Sequence, residues 1–223
     1  MRPHLLVIDP AVRTAETECF NRIALVSPLP VTYHLPCMYG LQSLLAEDMT
    51  AARGLVILGS ASSVTERLPW QVALEDWLRP HLARGLPTLG LCYGHQMIAH
   101  MLGGKVAYMT PERTKLKGFR RVKVAATPAW AAGEGELVVS HNEAVVDAPR
   151  DMEILATSDA VRIDGLAHRS LPIWTFQPHP EATPEFLRHH SIPLPASPDQ
   201  SLRYGYSLVD AFLVHAAGTR HRG

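Results

Sequence analysis

Gly90-Leu91-Cys92-Tyr93-Gly94-His95-Gln96 stands between an apolar run and a helical run. Upstream, Leu86-Pro87-Thr88-Leu89-Gly90-Leu91 reads as a short buried strand. Downstream, His95 to Leu102 reads as a helix that Gly103-Gly104 stops. The heptapeptide therefore sets one cysteine on a sharp strand-to-helix turn. Gly90 and Gly94 let the backbone turn tightly without a Cβ clash. A thiol at that point meets the positive end of the helix dipole, which favours the thiolate. This is a nucleophile elbow with sulfur in place of the usual serine.

A nucleophilic cysteine needs a base, and the base needs a group to orient it. Both stand far downstream in Phe176-Gln177-Pro178-His179-Pro180-Glu181. Ile173 to Phe176 reads as a strand, so His179 falls just past a strand end. Side chains two apart share a face of an extended segment, and Pro180 stiffens this one. Glu181 is thus placed to bind one imidazole nitrogen while the other faces the thiol. Cys92, His179 and Glu181 make a nucleophile, base and orienter.

Together the two segments resemble the class I glutamine amidotransferase family, in motif, order and separation. The resemblance covers most of the chain, from the first strand to about Phe186, and is weakest over 14–49 and after His190. It implies hydrolysis of the glutamine side-chain amide through a cysteine γ-glutamyl thioester, without a cofactor or a metal. It also implies an α/β fold, a flavodoxin-like mixed and mostly parallel sheet flanked by helices, with a small antiparallel ribbon.

Attack on a carboxamide makes a tetrahedral anion that needs preorganised donors. The backbone N–H of Tyr93 follows the nucleophile and supplies one. Gly59-Ser60 matches the family's glycine turn for the second, with Ala61 where proline is common. The resemblance adds Gln96 as a substrate contact. It also points to Ser140-His141-Asn142-Glu143, similar to the family's Ser-His-Gly-Asp stretch but with Asn-Glu in place of Gly-Asp. That departure keeps His141 out of the triad.

Composition narrows the field. The chain has 223 residues, with 21 Lys plus Arg against 21 Asp plus Glu. Zero formal charge argues against a nucleic-acid backbone binder. No apolar run approaches the roughly 18 residues of a membrane span, and Leu5 to Asp9 reads as a buried strand and not a signal peptide. The three cysteines, Cys19, Cys37 and Cys92, lack metal-ligand spacing and fit a reduced, cytoplasmic protein. The twelve histidines form no metal motif, and His189, His190, His215 and His221 look incidental.

Periodicity places strands at Leu5–Asp9, Val31–Leu35 and Leu55–Gly59. Helices are expected at Thr14–Ala24, Leu41–Glu47 and Trp70–Leu82, the last kinked or ended by Pro80. Beyond the elbow, strands are expected at Lys105–Met109, Phe119–Ala125, Leu137–Ser140, Ile154–Ser158, Val161–Ala167 and Ile173–Phe176. Few helices separate them, so antiparallel pairing is expected. The amidotransferase domain is expected over 1–190. Over 191–223 a proline-rich loop, Ser191–Ser201, and a helix, Leu208–Ala216, are expected to pack on it.

The chain shows no phosphate-binding Gly-x-x-x-x-Gly-Lys-Ser/Thr loop, and its tail is short for an ATP-dependent synthase. A separate synthase subunit is therefore expected to accept the ammonia, unless the chain works alone. Two other readings stand beside glutaminase: a γ-glutamyl peptidase using the same thioester, and a binding or regulatory subunit with little turnover.

Overall fold

The computed structural model describes residues 2–219, so Met1, His221 and the outer ends of the two expected spans lie outside it. The chain begins β1 (His4–Ile8), α1 (Thr17–Val26), β2 (Val31–His34), α2 (Pro36–Tyr39), α3 (Gln42–Leu45) and β3 (Ala52–Ile57). A single 3-10 turn, Val64–Glu66, leads to α4 (Pro69–Ala83), β4 (Thr88–Leu91) and α5 (Tyr93–Met101). Six strands follow: β5 (Lys105–Tyr108), β6 (Leu116–Val124), β7 (Gly133–His141), β8 (Glu143–Asp147), β9 (Met152–Thr157) and β10 (Gly165–His168). The chain closes with β11 (Ile173–Phe176), α6 (Pro184–His189) and α7 (Pro198–Gly218).

The expected mixed α/β sheet is present. Nine strands lie in the order β2-β1-β3-β4-β11-β10-β9-β6-β7. The first five run parallel, and the remainder pair antiparallel outward from β11. β5 and β8 form the small antiparallel ribbon. Apolar residues occupy both faces of β1 and β3, because both faces are covered. Leu5, Val7 and Val56 pack with Leu208, Val209, Phe212 and Leu213 of α7. Leu6, Ile8, Leu55 and Ile57 pack with Leu74 and Leu78 of α4 and Met97 and Ile98 of α5. No helix among the described residues is long and apolar enough to cross a membrane.

Four local departures from the sequence reading have physical reasons. α4 runs through Pro80 to Ala83; Pro80 is solvent-exposed, so water can serve the carbonyl its ring leaves unpaired. β7 starts at Gly133, before the expected Leu137. Its glycines lie under Tyr204 of α7, where a Cβ at Gly135 would overlap the ring. α7 starts at Pro198, which opens the helix at its first turn instead of closing a loop. α6 was not expected as an element; Thr183 caps it by accepting the Phe186 N–H at 3.2 Å.

Candidate active site

β4 ends at Leu91 and α5 begins at Tyr93, which leaves Cys92 alone to make the turn. Cys92 takes φ 50°, ψ −100°. The left-handed backbone therefore sits on the cysteine itself, and neither flanking glycine is needed for a positive φ. The glycines serve close approach. A Cβ at Gly94 would stand 2.5 Å from the Ile57 carbonyl oxygen, and one at Gly90 would stand 2.8 Å from the Gly94 carbonyl. Such a strained residue costs about 1–3 kcal/mol. Met97 and Ile98 are fully buried beneath α5, and each contributes about 1.5–3 kcal/mol of apolar burial. The packed helix therefore outweighs the strain and holds the elbow shut.

His179 arrives from the neighbouring strand. β11 pairs in parallel with β4, and the Cys92 N–H donates to the Phe176 carbonyl at 2.8 Å. Past β11 the chain turns and bridges to β7, where the His179 N–H donates to the Val138 carbonyl at 2.7 Å. His179 Nδ1 lies 2.8 Å from Glu181 Oε1, with both side chains buried. A carboxylate can only accept, so Nδ1 carries the proton there. Nε2 has no geometric hydrogen-bond partner among the described residues and is the ring nitrogen left for Cys92, whose charge acts on the imidazole. Burial alone would lower the His179 pKa. The Cys92 thiolate and then the Glu181 carboxylate reverse that and raise it to about 10.

The elbow opens on a cleft of about 260 Å³ lined by Cys92, His179, Gly59, Ser60, Arg13 and Lys115 among others. Gly59 stands where any side chain would strike the imidazole, because a Cβ there would lie 2.8 Å from His179 Cε1. Ser60 Oγ donates to the Pro10 carbonyl at 2.7 Å and accepts from the Ser62 N–H at 3.2 Å. This pins the turn that Ala61 leaves without a proline. Asp9 braces the facing loop, accepting from the Ala11 and Glu16 N–H groups at 3.0 and 2.8 Å. Tyr93 is the first residue of α5, so its N–H has no partner within the helix.

Gln96 lies apart from that lining. Its Nε2 donates to the Glu143 carbonyl at 3.0 Å and to Gln177 Oε1 at 3.1 Å. His141 is also structural in its contacts. Nδ1 donates to the Glu143 carbonyl at 2.9 Å, and Nε2 accepts from Arg120 at 3.3 Å. Burial, then the Arg120 guanidinium, push its pKa down to about 4. Arg120 in turn pairs with the buried Asp164.

The sequence reading missed His190. This residue lines the cleft, stacks on Phe186 at 4.0 Å and joins Ser140 Oγ (3.2 Å) to Glu16 Oε1 (2.9 Å). Nothing in its local spacing signals this, since its partners are 50 and 174 residues away.

Sulfur, imidazole and carboxylate just past the ends of neighbouring strands are the groups that a cysteine hydrolase or acyl-transfer site would need. The family model for "Glutamine amidotransferase class-I" matches residues 36–193, and the chain belongs to that family. It is 36% identical over 99 residues to a GMP synthase [glutamine-hydrolyzing] of Aquifex aeolicus, a match covering 44% of this chain and 19% of that protein. It is 36% identical over 111 residues to anthranilate synthase component 2 of Thermococcus kodakarensis, covering 45% of this chain and 53% of that one. The chain thus spans about a fifth of the first relative and about half of the second. A glutamine amidotransferase structure from Thermotoga maritima superposes with a TM-score of 0.73 at 17% identity, over 98% of this chain and all of that one, and shares the fold.

Proposed function

We propose that the protein hydrolyses the side-chain amide of glutamine to glutamate and ammonia. Cys92 thiolate attacks the amide carbon, and the anionic oxygen is held by the Tyr93 N–H and the Gly59-Ser60 turn. His179 gives its Nε2 proton to the leaving ammonia, which leaves a γ-glutamyl thioester. The same nitrogen then takes a proton from water as the water attacks, and the thiolate departs with glutamate released. Glu181 keeps the imidazole in its productive tautomer throughout. The observation that carries this reading is the buried His179–Glu181 pair, at 2.8 Å, facing Cys92 across one cleft in a chain of this family.

Gln96 reaches substrate in this reading only through its remaining amide oxygen, because its nitrogen is committed internally. The relatives named as a GMP synthase [glutamine-hydrolyzing] and an anthranilate synthase component 2 support a synthase domain or subunit as the ammonia acceptor.

The test is product release by the purified protein and by Cys92→Ala, with glutamine and γ-glutamyl dipeptides side by side. Ammonia from glutamine, abolished in the variant, is the expected result. Cleavage of dipeptides alone would replace glutaminase with a γ-glutamyl peptidase. Silence with both substrates would rule out independent activity and direct attention to a partner-dependent or binding role.

A further inference from the structure

Gln177 is fully buried, and its side-chain nitrogen lies 3.7 Å from Cys92 Sγ, within hydrogen-bonding range for sulfur. An amide side chain presents an acceptor on one side and donors on the other, so its effect on sulfur depends on which way round it is held. Here the orientation follows from a backbone group. The Glu143 carbonyl can only accept, so the Gln96 atom 3.0 Å from it is the nitrogen. That same nitrogen lies 3.1 Å from the Gln177 amide, whose facing atom must therefore be the oxygen. The Gln177 nitrogen is then the atom left to face sulfur. Burial closes the escape route of turning to water. The Glu143 carbonyl is itself braced by the His141 Nδ1–H at 2.9 Å.

We propose that Gln177 is a further catalytic residue that donates to the Cys92 thiolate, and that Gln96 is the positioning residue that holds its amide the right way round. The proposal rests on Cys92 being the nucleophile. A donor to sulfur gains much more with a thiolate than with a thiol, because the charge strengthens the bond. Gln177 therefore lowers the free energy of the attacking form and spares the His179 imidazolium from stabilising it alone.

The test is the rate of iodoacetamide alkylation at the Cys92 peptide, followed by mass spectrometry across pH on the full chain. Folding of each variant is checked by thermal melting, and turnover on glutamine is measured in parallel. Gln177→Leu is expected to move the acid limb up by about one pH unit, a tenfold lower reactive fraction on that limb. Gln177→Glu keeps the volume but turns a carboxylate oxygen to sulfur, so it should move the limb further. Gln96→Glu never touches Sγ. Its carboxylate should draw the Gln177 N–H groups away, present Oε1 to sulfur and move the limb in the same direction.

An unchanged limb in folded Gln177→Leu or Gln177→Glu would overturn the proposal while leaving the functional reading intact. An unmoved limb in Gln96→Glu would remove Gln96 from it. A shifted limb in a protein that does not turn over glutamine would support the proposal and count against the substrate. A wild-type Cys92 inert at every pH would overturn both.

Discussion

The two halves of the sheet are built from different materials. Around β1, β3 and β4 the interior is mainly aliphatic, with Leu6, Ile8, Leu55, Ile57, Leu74, Leu78, Met97 and Ile98 fully buried beside a few polar groups such as Asp9, Gln71 and Thr88. Between β11 and β7 the interior carries a polar seam. Arg120 pairs with Asp164 and touches His141, while His95 Nδ1 lies 2.7 Å from Thr175 Oγ1. Cys92 belongs to the first half, and Gln177, His179 and Glu181 to the second. Close apolar packing suits a strained elbow, which needs only to be held shut. An imidazole and an amide must be held at a particular angle, which apolar contacts do not specify and hydrogen bonds do. The candidate site lies where the two halves meet, with the elbow on one side and Gln177, His179 and Glu181 on the other.

Substitutions on either side test that contrast. The largest expected effect is on activity, at Glu181. Glu181→Gln keeps the shape but no longer fixes the Nδ1–H tautomer, so kcat should fall by about 10³–10⁴-fold while the melting temperature stays close to wild type. A loss below tenfold would mean that the polar seam orients His179 without it.

Arg120→Met comes next, because it leaves the Asp164 carboxylate buried and unpaired. It should cost about 3–5 kcal/mol by denaturant unfolding. Adding Asp164→Leu should recover most of that loss. If the double variant also kept full turnover, the polar seam would have no functional part.

On the aliphatic side, Gly94→Ala drives a methyl toward the Ile57 carbonyl and should destabilise by about 1–3 kcal/mol. A neutral result would show that the elbow is looser than its packing implies.

His141→Gln tests the seam through pH. In the folded chain His141 stays neutral down to about 4, whereas its ordinary pKa is 6.5. As pH falls through that window the unfolded chain takes up a proton that the folded chain refuses, so stability is lost. His95, lowered further to about 3 by burial and then by His141, adds to the same acid-side loss. The stability difference between pH 7 and pH 4.5 should be smaller in His141→Gln than in wild type. Equal slopes would remove His141 from the account. At the far end of the scale, Arg121→Ala breaks an exposed pair with Glu134 on the outer ladder of the antiparallel half and should leave the melting curve unchanged.

The site was legible to different depths. Cys92 announces itself through the apolar strand, flanking glycines and helix around it. The reason given for the glycines holds, since a Cβ would clash with Ile57 at Gly94 and with Gly94 at Gly90, while the positive φ lies on Cys92. Glu181 is legible because it stands two residues from His179 on a stiffened segment. Gln177, His190 and the inward commitment of Gln96 were not legible, since each depends on partners from remote segments.

What the sequence determined by itself is local. Short apolar runs marked the strands, helical spacing marked α4, and the elbow and Gln177-Pro178-His179-Pro180-Glu181 segments marked the chemistry. These signals survive in one dimension because each depends on residues a few positions apart. The tertiary structure decided which strands are neighbours, that β7 bridges to His179, and that a backbone carbonyl at Glu143 sets the orientation of two glutamines beside the sulfur. Those outcomes depend on burial and on remote partners, 41 residues apart for Val138 and His179 and 47 to 85 for the glutamine contacts, where hydrogen-bond geometry is fixed by packing and leaves no periodic trace in the chain.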